Sequence, residues 1–128
     1  MTSVRISCPV NPSEDEEKVR SAILSIFPDS DLVLNDGRLE GEATLDRFAK
    51  IIRKQKILDA TRAVLIMNSR GNTTRMTLNK QVATVGKVSF ADKRPVLGGI
   101  EVTIEDENLM ALIDKVSPIT VDGEEVIQ

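Results

Sequence analysis

Ile100-Glu101-Val102-Thr103-Ile104-Glu105 is the clearest strand in the chain, and the fold is read outward from it. Apolar residues at 100, 102 and 104 alternate with polar ones at 101, 103 and 105, the period-2 signature of a strand with one buried face. The same alternation recurs upstream. Met76 and Leu78 share one phase within Thr73–Asn79, Val88 and Phe90 share one within Lys87–Ala91, and Val4, Ile6, Cys8 and Val10 alternate with Arg5, Ser7 and Pro9. Asp31 to Ala43 reads as a hairpin around Asp36-Gly37, a pair suited to a two-residue type I′ turn. That turn sets Leu34 opposite Leu39, so register and apolar phase agree.

Helical spacing fills the intervals. Val19, Ala22, Ile23, Ile26 and Phe27 form one face of a helix, with Ser13 and Glu16 as its capping box and Pro28 as its stop. A second helix, capped by Thr44, buries Phe48, Ile51 and Ile52 and sets Arg47, Lys50 and Lys54 on another side at i, i+3, i+7. Asp59 is the expected cap of a third helix carrying Val64, Leu65 and Met67, with Gly71 just past its end. A short turn spans Lys80 to Val85 before Gly86, and 92–99 is a loop. Asp106 opens a last helix with Leu109, Met110, Ile113 and Val116, which Pro118 ends. Hairpins dominate, and no βαβ series with Gly-rich turns is present. The expected fold class is α+β, a mostly antiparallel β-sheet of about five strands with about five helices packed chiefly on one face. Residues 1–118 form one domain, and the acidic, aperiodic 119–128 a loose tail.

Charge is distributed unevenly. Residues 46–94 hold 12 of the 17 Lys and Arg and 3 of the 20 Asp and Glu, a formal +9 inside a chain of net −3. Such a window suggests a polyanionic partner. Other classes are excluded by what is missing. With no histidine and one cysteine, histidine-based acid–base catalysis, Ser-His-Asp triads and the usual structural zinc sites are ruled out. No P-loop or dinucleotide fingerprint appears, so no cofactor is called for. Cys8, on an apolar phase, reads as a small core residue. Cysteine usage and the lack of an apolar leader or membrane span predict a cytoplasmic protein without a membrane partner.

Two blocks in the basic window carry a family resemblance: Arg53-Lys54-Gln55-Lys56-Ile57-Leu58-Asp59-Ala60-Thr61-Arg62, and Leu78-Asn79-Lys80-Gln81-Val82-Ala83-Thr84-Val85-Gly86-Lys87-Val88-Ser89-Phe90. With Val10-Asn11-Pro12 and Leu97-Gly98-Gly99-Ile100-Glu101-Val102, the chain resembles an archaeal family often labelled RNA-binding or predicted exosome subunit. The resemblance runs from Val4 to about Val116. It implies a fold like the RNA-binding domain of the ribosomal protein that holds 5S rRNA, an RRM-like arrangement, and it brings no catalytic residues. Family members are expected to carry proline where Gly99 stands.

Three functional classes are weighed. The first is weak, backbone- or shape-directed binding of structured RNA, with Arg53, Lys54, Lys56, Arg62, Arg70, Arg75, Lys80 and Lys87 as candidate phosphate contacts. Stacking of bases on an RRM-type sheet is disfavoured, because Phe27, Phe48 and Phe90, the three aromatic residues, all read as core. Against this stands a surface neutralised by the acidic flanks. The second is a protein-interaction module that does not bind RNA, a homodimer or the partner of an acidic protein. The third is a carboxylate- and metal-dependent enzyme built on Glu101, Glu105, Asp106 and Glu107. That reading competes with an ordinary exposed strand face running into a helix start, and the chain is read as not an enzyme.

Overall fold

The computed structural model describes residues 2–91, 98–121 and 124–125. In chain order these form β1 (Ser3–Pro9), α1 (Glu16–Ile26), β2 (Val33–Asn35), β3 (Arg38–Glu42), α2 (Asp46–Lys54), α3 (Leu58–Met67), β4 (Thr73–Leu78), α4 (Lys80–Ala83), β5 (Ile100–Glu105), α5 (Leu109–Val116), β6 (Thr120–Val121) and β7 (Glu124–Glu125). The fold is α+β. Its main sheet is antiparallel with strand order β2-β3-β1-β5-β4, so the decisive strand β5 lies between β1 and β4. Its alternation persists in three dimensions: Ile100, Val102 and Ile104 are buried while Glu101 and Glu105 are exposed. The same phase runs across the sheet, with Val4, Ile6 and Cys8 of β1, Leu39 of β3, and Thr74, Met76 and Leu78 of β4 facing the core. The helices cover that face, and among the described residues the opposite face is bare.

The covering layer contributes Val19, Ala22, Ile23 and Ile26 from α1, Phe48 and Ile52 from α2, Leu65 from α3, and Leu109, Ile113 and Val116 from α5. Phe27 and Phe48 stack at a centroid distance of 6.0 Å, both fully buried. Truncating either to Ala would cost about 3–5 kcal/mol. The β2–β3 turn is the expected type I′, with Asp36 at φ 53° and Gly37 at φ 78°, and Leu34 lies opposite Leu39.

Helix starts differ from the sequence expectations at all four expected caps. Before α1, residues 12–14 turn so that the Glu14 carboxylate accepts from the Asn11 N–H (3.0 Å) and side chain (2.7 Å). The cap is Asp15 rather than Ser13, accepting from the Glu17 N–H at 3.0 Å. Thr44 donates to Asp29 at 3.3 Å, and α2 begins at Leu45 without a side-chain cap. Helix α3 starts earlier than expected and buries Leu58, which leaves Asp59 in its first turn. Its core stripe is Leu58, Thr61 and Leu65, and Met67 is 77% exposed. The buried Thr61 hydroxyl is satisfied by donating to the Ile57 carbonyl at 2.8 Å. Asp106 accepts from the Asn108 N–H, and Asn108 is the actual cap of α5, accepting from Ala111.

Three further differences concern connections. Gly71 lies in the two-residue turn between Arg70 and Thr73, whose backbones bond reciprocally at 2.7 and 3.1 Å, rather than at the end of α3. Lys87–Ala91 is not a strand. It touches the sheet through one bridge, Phe90 to Leu78, with Asn79 N–H bonded to Ser89 and Ala91 N–H to Thr77. At its described residues, the expected loose tail is the two-stranded ribbon β6–β7. The loop and tail expectations at 92–97, 122–123 and 126–128 lie outside the described residues.

Candidate nucleic-acid interface

Helix α2 is amphipathic in charge as well as hydropathy. Phe48 and Ile52 point into the core, while Arg47, Lys50 and Lys54 occupy the far side over about 10 Å of helix. A groove of about 1010 Å³ runs beside them, closed on the other side by Leu24 and Ser25 of α1 and by Thr84, Val85, Gly86 and Lys87. Gly86, at φ 73°, reverses the chain after α4 so that the Lys87 N–H meets the Val82 carbonyl at 3.3 Å. Gln55 then ties this turn to α2, donating to the Val88 carbonyl at 2.9 Å and accepting from its N–H at 2.7 Å. The result is two walls bearing Arg47, Lys50, Lys54 and Lys87, all exposed. Among the described residues no carboxylate lines the groove, and none of these four cations has an ion-pair partner.

The eight residues singled out from sequence therefore separate. Lys54 and Lys87 line the groove. Lys80 is 8% exposed and holds the fold together, donating to the Pro9 carbonyl at 2.6 Å and to Glu14 at 2.9 Å. Arg62 joins α3 to α5 through Asp114 (2.7 Å) and the Ser117 carbonyl (3.1 Å). Arg53 donates to the carbonyls of Ala49, Lys115 and Val116 and pairs with Glu125. Lys56 is exposed at the α2–α3 corner, and Arg70 at the turn before β4. Arg75 is on the bare sheet face, away from the helices. Arg47 and Lys50 complete the groove although they were not among the eight. Their signal was the i, i+3, i+7 spacing with Lys54.

The bare sheet face has a different character. Arg5, Arg38 and Arg75 are interleaved with Glu40, Glu42, Glu101 and Glu105 on the outward phase of β1, β3, β4 and β5. Arg5 lies directly opposite Glu42, and Arg38 is paired with Glu101. No aromatic residue is on this phase. Asp106 also accepts from Thr2, which together with the Asn108 bond holds its carboxyl below the usual range. No group of three or more Asp, Glu or Cys among the described residues is placed to hold a metal ion.

The β4 edge of the sheet is capped, whereas β2 is exposed at all three of its residues. Just before β2, the Leu32 carbonyl accepts from Arg20 at 2.9 Å. On β4, the Arg75 carbonyl accepts from the Asn68 side chain and the Thr77 carbonyl from the Ala91 N–H, each at 2.9 Å. No helix among the described residues is long and apolar enough to cross a membrane.

Comparison with known proteins agrees with this architecture. A family model described as RNA binding matches residues 3–105. A UPF0201 protein of Sulfurisphaera tokodaii is 41% identical over 133 residues, covering 96% of this chain and 92% of the relative. A UPF0200/UPF0201 protein of Archaeoglobus fulgidus is 38% identical over 96% of this chain, which spans 39% of that relative's length. The crystal structure of a UPF0201 protein from Methanococcus jannaschii superimposes with a TM-score of 0.85 at 36% identity, over 98% of this chain and 99% of the other. The chain belongs to the UPF0201 family.

Proposed function

We propose that this protein binds structured RNA through the phosphate backbone, in the groove between α2 and the Thr84–Lys87 turn. One observation carries the reading: Arg47, Lys50, Lys54 and Lys87 converge on a groove whose described walls hold no carboxylate. Lys and Arg that neutralise phosphates release condensed counterions, and this term is independent of sequence. The description of the matching family model points the same way. The bare sheet, where RRM-type domains stack bases, carries carboxylates and no aromatic ring, so base stacking there is disfavoured.

Fluorescence anisotropy with a labelled RNA hairpin at several salt concentrations tests this. The Lys50→Glu/Lys54→Glu variant should lose at least tenfold in affinity, with a salt slope shallower by about 1.5. Arg70→Glu/Arg75→Glu, the same charge change outside the groove, should stay within about threefold. Equal losses, or no binding by the unaltered protein at low salt, would overturn the reading.

A homodimeric interaction module is the second reading. Its supporting observation is the exposure of Ile66, Met67 and Met110 (41, 77 and 47%) on the packed helices α3 and α5. Strand pairing at β4 is a poor route to such a dimer, because its edge carbonyls are already engaged. Light scattering on the eluting protein reports the mass directly, and a monomer at micromolar concentration would remove this reading.

A further inference from the structure

We propose that the corner where α2 meets α3 is a second phosphate subsite, separate from the groove but on the same helix, and that the chain's own Glu124 and Glu125 occupy it in the free protein. This inference rests on the RNA reading above.

Arg53 is three residues beyond Lys50 on α2, about 60° around the helix from it, and its guanidinium turns to the end of α5, where it lines a separate small cavity with Lys56. Lys56, at φ 60°, makes the bend between the two helices. Arg53 is held in place without help from any carboxylate, since the carbonyls of Ala49 (3.1 Å), Lys115 (3.0 Å) and Val116 (3.4 Å) all accept from it. Its contacts with Glu125 are 3.3 Å from Nε and 3.4 Å from Nη2, and the two side chains are 34 and 40% exposed. An ion pair so open to water is weak and exchangeable. Lys56 and Glu124 share a cavity of about 140 Å³ with Leu58, Asp59 and Thr120.

Among the described residues, little else holds the segment carrying these carboxylates. Ribbon β6–β7 has two residue pairs, Thr120 with Glu125 and Val121 with Glu124. A two-stranded ribbon of that length is not stable by itself. Val121 is 59% exposed, and Glu124 and Glu125 are exposed. Besides the Arg53 pair, the described tether is Thr120 donating to Asp59 at 2.5 Å. Two adjacent carboxylates on a short segment imitate a pair of phosphates and gain from high effective concentration. A real phosphate backbone carries more charge and displaces them, which leaves Arg53 already oriented.

The test compares the full-length chain with two doubly neutralised variants, again by anisotropy across salt. Glu124→Gln/Glu125→Gln should bind the RNA hairpin several-fold more tightly, with a salt slope steeper by about 1.5 as two more cations reach phosphates. Glu40→Gln/Glu42→Gln, the same charge change on the bare sheet, should move affinity less than about twofold and leave the slope unchanged. If the two variants behave alike, or if the tail variant matches the unaltered protein while that protein binds RNA, the masked subsite is wrong and the groove stands. If none of the proteins binds RNA at low salt, the RNA reading itself fails, and this inference with it.

Discussion

The carboxamide of Gln55 spans both backbone groups of Val88, 33 residues away, at 2.9 and 2.7 Å, and so fixes one wall of the basic groove against the other. Val88 is 3% exposed, so water does not readily replace that partner. Gln55→Ala should therefore lower stability by about 1–3 kcal/mol, the penalty for stranding buried donors and acceptors. Urea denaturation measures it. Because Lys87 precedes Val88, the variant should also bind RNA less tightly in buffer where it remains folded. A stability change below about 0.5 kcal/mol would show that the turn holds its place without the clamp.

Lys80 and Glu14 give the fold an acid limit. Burial opposes ionisation of Glu14, but the Asn11 N–H, the Lys80 ammonium and the Asn11 amide outweigh it, and its carboxyl is held below the ordinary 4.5. A depressed folded pKa contributes stability that is present above the unfolded value and lost as pH falls through the folded one. Urea midpoints followed from about pH 6 to about pH 3 should fall more steeply for the unaltered protein than for Glu14→Gln, with the two curves converging in acid. Parallel curves would mean the pair contributes nothing to acid stability.

Cys8 sets a matching alkaline behaviour. Burial pushes its thiol up to about 11 from 9.0, with Lys80 partly offsetting. The raised folded value means this contribution is intact below pH 9.0 and is lost as pH rises from there toward about 11. Over that window the unaltered protein should lose up to about 1.4 kcal/mol per pH unit more than Cys8→Val. The native thiol should also resist a disulfide reagent at pH 8 while reacting at once in denaturant. Rapid labelling of the folded protein would contradict the buried placement.

Much of the sheet was legible in the sequence, because the period of two at Ile100–Glu105, Val4–Val10 and Thr73–Leu78 is a property of the strand itself and survives any packing. The Asp36-Gly37 turn was legible for the same local reason. Helix starts were less so. Ser13, Thr44, Asp59 and Asp106 have the right chemistry for caps, but α1 begins later, at the Asp15 cap, α3 begins earlier than Asp59, and Thr44 and Asp106 have other partners. The basic residues were hardest to sort. Lys80, Arg53 and Arg62 look like any surface cation, and what engages them lies 71, 62 and 55 residues away at Pro9, Lys115 and Ser117. Local spacing marked Arg47, Lys50 and Lys54 as one helix face. It gave no hint that Lys87 would stand across from them, because Gln55 makes that pairing through the tertiary fold.

The gathering of four unpaired cations in one groove has a kinetic consequence. Arg47, Lys50, Lys54 and Lys87 sit off-centre on the helical side, while the bare strands set three arginines among four glutamates. A long polyanion at a distance therefore exerts a torque on the molecule as well as a pull, turning the groove forward before any contact forms. The reach of that torque is the Debye length, about 8 Å at physiological ionic strength and about 30 Å at 0.01 M salt. In dilute salt, productive collisions should far outnumber those expected of a randomly tumbling body, even though the chain as a whole carries the same sign of charge as the molecule it meets.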